Sequence, residues 1–229
     1  MPEKKTGEIV LIASSLIAML LAVGMVFGYA PREATMGEVQ RIFYFHVASA
    51  WVGFFAFFVT FAAGIAYLLK PEPRRDSLAH ASAEVGLTFI TMTVVTGSLW
   101  ARPVWGAYWT WEPRLTISAV QWVLYIAYLM LRNAVEPRER AARFAAVYGI
   151  LAFVTVPLSW FAIRWWRTIH PDLLTGEAMA VTPAMLQTLF VSLGAFTLLY
   201  ITILRQRLQQ EHTMERVTHL RRYILEEED

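Results

Sequence analysis

The 229-residue chain is 57% hydrophobic and 17% charged, with a formal net charge of +2 and no cysteine. A soluble domain carries roughly 25% charged residues, so the shortfall excludes an ordinary soluble fold and makes lipid the solvent. The small charge, with no basic block interleaved with aromatics, excludes a nucleic-acid partner; the missing thiols exclude disulfides, thiolate metal sites and the Cys-x-x-Cys-His attachment of a c-type haem.

Six apolar runs follow in chain order, over 9–29, 43–69, 85–101, 115–131, 144–163 and 183–204. Each is near the roughly 20 residues that cross a bilayer as helix, and unpaired backbone groups are too costly in hydrocarbon for anything but helices here. The predicted fold is all-α: a polytopic six-helix transmembrane bundle over 1–204, followed by a charged tail over 205–229. The first run follows Lys4 and Lys5 and ends near the small-x-small triplet Gly28-Tyr29-Ala30. It exceeds the roughly 7–15 apolar residues of a signal peptide and is read as a retained helix. The third run is rich in small and hydroxyl residues (Gly86, Thr88, Thr91, Thr93, Thr96, Gly97, Ser98). Small residues let helices approach closely, so this helix is expected inside the bundle. In the tail, Leu208, Val217, Leu220 and Ile224 fall at near-helical spacing, which predicts a cytosolic helix, solvated by default.

Lys and Arg set the orientation. With the N-terminus inside, inner segments carry fourteen of them and outer loops six: Arg32, Arg41, Arg102, Arg114, Arg164 and Arg167. N-in, C-in is therefore predicted. The span interiors hold almost no ionisable residue; Glu8, Glu84 and Arg143 fall at helix ends. Pumps and proton-coupled transporters place such groups deep in their spans, so the chemistry is expected at a surface. His80 is read in an inner loop, and His212 and His219 in the tail, without a role.

That surface is marked by three features. Trp100-Ala-Arg-Pro-Val-Trp105-Gly-Ala-Tyr-Trp109-Thr-Trp111-Glu-Pro-Arg114-Leu-Thr116 is predicted to be an outer loop, with Tyr108 and Glu112 inside it. An aromatic belt explains one or two tryptophans per helix end, but not Trp105, Trp109 and Trp111 in one connection. His46, at the start of the second helix, and His170, just past the fifth, fall on the same face. Aromatic rings offer flat contact, and arginine clamps carboxylates, with Arg102, Arg114 and Arg164 as candidates. Haem is planar and apolar, carries two propionates, and its iron takes two axial imidazoles. The three features together point to haem.

These residues resemble a known family. Trp105 to Thr116, with Thr96-Gly-Ser-Leu-Trp100 before it, resembles the tryptophan-rich "WWD" signature of the haem-handling proteins. Arg41 to Trp51 and Trp165 to His170 resemble the segments bearing that family's two axial histidines. Length and six-helix plan resemble component C of the cytochrome c maturation machinery. Three positions depart from the pattern: Glu112 replaces an aspartate, Ala48 a proline and Pro171 a polar residue.

The resemblance implies a protein of the bacterial inner (cytoplasmic) membrane. It implies that haem b is bound on the outer, periplasmic side as transported substrate and presented to a membrane-anchored haem chaperone. It implies ABC-transporter subunits and a small single-helix subunit as partners. His46 and His170 would be the axial ligands, and Trp105, Trp109 and Trp111 the platform, with Trp100, Tyr108, Glu112, Arg114 and Arg102 around it. Delivery rather than catalysis is expected, since no nucleophile or general base stands out. Two alternatives stay open: a b-type haem electron-transfer subunit, and a structural assembly subunit without haem.

Overall fold

A computed structural model of the chain describes the backbone of residues 2–166, 170 and 181–228, and side chains over 6–166, 170, 181–214, 216 and 217. Arg167 and Pro171, and the side chains of His219, Leu220 and Ile224, lie outside the described residues. Among the described residues seven α-helices appear in order: α1 (Pro2–Gly24), α2 (Ile42–Leu69), α3 (Pro73–Trp105), α4 (Pro113–Ala134), α5 (Arg138–Phe153), α6 (Thr155–Trp165) and α7 (Pro183–Glu228). Among the described residues there is no strand, only an isolated bridge between Glu33 and Gly37. Six helical segments are long and apolar enough to cross a membrane, because α5 and α6 form one span. The all-α, six-span architecture expected from the sequence is the one observed.

Proline and glycine place the boundaries. Pro73 and Pro113 occupy the first turns of α3 and α4, where a missing N–H costs nothing. At the far end of α3, Gly106 adopts φ +75°, and its N–H donates to the Arg102 carbonyl at 3.0 Å. That left-handed cap favours glycine and stops the helix. The bend between α5 and α6 has a local cause as well: Pro157 has no N–H to offer the Phe153 carbonyl. The turn tightens there, with Val154 N–H on the Leu151 carbonyl at 3.2 Å.

α2 and α3 form the tightest pair. A Cβ at Gly53 would meet Ile90 at 2.6 Å, and one at Gly86 would meet Phe57 at 2.8 Å. The small residues thus act where helices press together. The spans of α2 and α3 are the most enclosed, as expected for the third run. α4 and α5 close the bundle on one side around Phe57, Ile90, Tyr125 and Tyr128. α7 closes the other around Val52, Phe89, Phe196 and Tyr200, with α1 packed outside it.

Three boundaries differ from expectation. α3 begins at Pro73, not near residue 85, so His80 lies in a helix and not in a loop. α3 also continues to Trp105, so the connection to α4 is loop only over 106–112. α7 passes residue 204 without a break. Two of its first tail residues dock on α3: Arg207 Nε donates to Glu84 Oε2 at 2.9 Å, and Glu211 Oε1 lies 2.7 Å from His80 Nδ1. Charge alone suggested water, but each of these groups finds a counterpart on α3. At the same end Arg132 of α4 makes a paired contact with Asp76 of α3, its Nη2 donating to Oδ2 at 2.8 Å.

Candidate functional site

The opposite end of the bundle holds a cavity of about 240 Å³. Helical spacing builds its walls. α2 contributes His46, Ala50 and Phe54, four residues apart; α3 contributes Thr93, Gly97, Ala101 and Trp105, again four apart. Residues at i and i+4 share one helix face, so each set forms a ridge. Arg114 and Ser118 add the first turns of α4, and Trp100, Trp109 and His170 complete the wall. The cavity therefore brings together His46 and His170, distant in sequence, with three of the expected tryptophans and one expected arginine.

The geometry around each histidine is specific. The ring of His46 lies edge-on to Trp100, centroids 5.9 Å apart, and that of His170 lies edge-on to Trp105 at 6.3 Å. Gly97 makes room for the first: a Cβ there would lie 2.8 Å from His46 Cε1. Nδ1 of His46 lies 3.2 Å from Thr96 Oγ1. The Arg114 guanidinium is within electrostatic reach of the same ring. The indole N–H groups of Trp100 and Trp109 are buried with no hydrogen-bond partner among the described residues. A buried donor without an acceptor is costly, and in the wall of a cavity such a donor suits the acceptor of a ligand.

Five expected residues do not line the cavity: Arg102, Tyr108, Trp111, Glu112 and Arg164. Arg102 Nη1 donates to the Gly106 carbonyl at 2.7 Å, and its guanidinium lies over the Tyr108 ring at 5.4 Å, so this pair braces the loop. Glu112 precedes α4; its carbonyl accepts the Thr116 N–H at 3.0 Å, and its acidic side chain suits the positive end of a helix. Trp111 is 77% exposed and meets Trp109 edge-on at 5.8 Å. The platform thus divides into an inner set facing the cavity and one outer indole at the rim.

Sequence reasoning missed Met36, Phe54, Thr93, Gly97, Ser98 and Ser118 among the lining residues. For Phe54, and for Ser118 counted from Arg114, the i+4 and i+8 steps from residues already singled out were the available signal. Met36 lies in the irregular stretch before α2, where no periodicity applies.

The chain matches the family described as "Heme exporter protein C" over residues 3–223. It is 33% identical over 205 residues to heme exporter protein C of Bradyrhizobium diazoefficiens, covering 88% of this chain and 78% of that protein. Against heme exporter protein C of Escherichia coli K12 it is 32% identical over 196 residues, covering 83% of this chain and 78% of that protein. A putative cytochrome c biosynthesis ccmC-like mitochondrial protein of Marchantia polymorpha is 27% identical over 177 residues, covering 77% of this chain and 75% of that protein. With a match that runs through all six membrane-length segments and both histidines of the cavity, the chain belongs to the heme exporter protein C family.

Proposed function

We propose that the cavity binds haem b and presents it, on the periplasmic side of the bacterial inner membrane, for transfer to a haem chaperone in cytochrome c biogenesis. The observation that carries this reading is the meeting of His46 and His170 in one cavity with Trp100, Trp105, Trp109 and Arg114. The two imidazoles are axial ligands of the iron. The indoles give the macrocycle flat contact, and the partnerless N–H groups of Trp100 and Trp109, with the Arg114 guanidinium, suit the propionates. Arg164, on the last turn of α6, is a further propionate candidate. The family's printed name and those of the relatives agree with haem as cargo.

The absence of cysteine bears on attachment. Without thiols the chain can form no thioether to haem, the covalent link of c-type attachment. In this reading the macrocycle is held with one edge available to a partner. Trp111, exposed at the rim, is placed to meet that edge. The chain's own work is positional: it binds, orients and offers the cargo, with ABC-transporter subunits and a single-helix subunit as companions. The excess of Lys and Arg at the His80 end supports N-in, C-in, with the cavity outward.

The test is purification with haem supplied, followed by spectra of the parent, His46→Ala and His170→Ala. The parent should show a low-spin haem spectrum, and each variant should lose it. Unchanged low-spin spectra in both variants would end the axial-ligand assignment. A parent without a Soret band would favour a structural assembly subunit, and haem that exchanges electrons with quinone would favour an electron-transfer subunit.

A further inference from the structure

The imidazole of His46 is held from α3, and the hydrogen bond that holds it has a direction. Thr96 Oγ1 lies 3.2 Å from Nδ1. A hydroxyl has one hydrogen to give. That of Thr96 is engaged with its own helix: Oγ1 donates to the Met92 carbonyl at 2.6 Å, with the Thr93 carbonyl at 3.3 Å as a longer alternative. With its hydrogen so used, the oxygen can only accept from the ring. Nδ1 must therefore be the protonated nitrogen.

In a neutral imidazole only one nitrogen carries hydrogen, so Nε2 keeps its lone pair. The placement of the ring agrees. A Cβ at Gly97 would stand 2.8 Å from Cε1, 3.2 Å from Nδ1 and 3.9 Å from Nε2. Nδ1 is the nitrogen turned toward α3, and Nε2 is the one turned away from it. A further contact, edge-on from Trp100 one turn farther along, limits rotation of the ring.

We infer that Thr96 is a positioning residue: by accepting from Nδ1–H it selects the tautomer of His46 whose Nε2 can coordinate iron. The inference rests on the reading of the cavity as a haem site. It assigns Thr96 no contact with haem. Its effect runs through the imidazole, as a second partner on a ligating histidine sets both ring orientation and basicity.

The inference is tested first without haem. The protein has five histidines, and a ¹⁵N-histidine spectrum of haem-free protein in detergent, compared with that of His46→Gln, identifies the His46 signals. The parent should show the Nδ1–H tautomer. Thr96→Val, nearly isosteric and without the acceptor, should show a mixture, and Thr96→Ser should restore the single form. Thr96→Ala serves as a second variant, with elution as a single monodisperse species as the check on folding. Haem loading follows: Thr96→Val should weaken haem binding by about 10- to 100-fold and shift the reduction potential, with recovery in Thr96→Ser. A His46 ring that stays in the Nδ1–H form in both Thr96→Val and Thr96→Ala, or that is in the Nε2–H form in the parent, overturns the inference. Failure of the haem reading appears separately, as a parent spectrum unaffected by His46→Ala.

Discussion

Two ends of the same bundle differ in how their buried charges and donors are met, although Glu211 Oε2 at the paired end also lacks a partner among the described residues. Where α3 begins and α4 ends, Asp76 takes up Arg132 in a paired contact, and Arg207 and Glu211 of α7 reach Glu84 and His80. Where α3 ends and α4 begins, the indole N–H groups of Trp100 and Trp109 are buried and find no acceptor among the described residues. A closed network costs little to maintain and stabilises the contact it spans. An open one persists only if something else repays the loss. The difference separates the end that holds helices together from the end with the cavity, although both are rich in residues that composition alone would mark as functional.

The largest expected effect breaks the closed end. Asp76→Ala leaves the Arg132 guanidinium buried, with only 7% of its side chain exposed, and without its carboxylate. Removing one partner of such a pair costs about 3–5 kcal/mol, read as a lowered unfolding midpoint in detergent, and the double variant Asp76→Leu/Arg132→Leu should recover most of it. A single variant as stable as the parent would show that the pair is no clamp. The next tests the open end through sterics. Gly97→Ala sets a methyl 2.8 Å from His46 Cε1; overpacking of this kind costs about 1–3 kcal/mol, and the low-spin haem fraction should fall while the helical content stays. Full low-spin haem in that variant would mean that the ring has another place to go.

A smaller effect isolates the partnerless donors. Trp100→Phe and Trp109→Phe keep an aromatic ring but remove the N–H, so haem affinity should drop by about 0.5–1.5 kcal/mol, roughly two- to tenfold. Trp111→Phe, at the exposed rim, should leave equilibrium binding unchanged. Equal losses in all three would erase the distinction between inner wall and rim. The smallest effect returns to the closed end. The Arg207–Glu84 pair is about one-third exposed on each side, and Arg207→Gln should cost no more than about 1 kcal/mol, with no change in haem spectrum.

Several features of the fold are legible in the residues themselves. The six apolar runs become six membrane-length segments, and the small residues of the third run do pack inside the bundle. Two of the points that were misread share one cause. The turns before residue 85 look polar, and the residues past 204 look charged, so both read as solvated. Asp76, His80, Glu84, Arg207 and Glu211 are in fact paired across α3, α4 and α7, a fact that no local pattern contains. Trp100 to Trp105 reads as loop because tryptophan and Pro103 dominate it, yet the helix runs on to the left-handed Gly106.

The site divides in the same way. Composition and spacing marked the histidines and the tryptophan-rich segment as unusual for a belt. They could not rank Trp109 above Trp111, since two residues that alternate in a short connection differ only in which way the folded loop turns them. Nor could they find Phe54, Ser98 or Ser118, ordinary residues that matter only because of what stands opposite.

By itself, then, the sequence determined the solvent, the number of spans and the residue types available for coordination. These follow from transfer free energies and side-chain chemistry, which act locally. Only the tertiary structure decided that His46 and His170 share one cavity, that Gly97 admits the first imidazole and Thr96 accepts its hydrogen, and that His80 pairs with α7. Those outcomes depend on helix faces meeting across separations of 50 residues and more, and a direction in space is not carried by any residue alone.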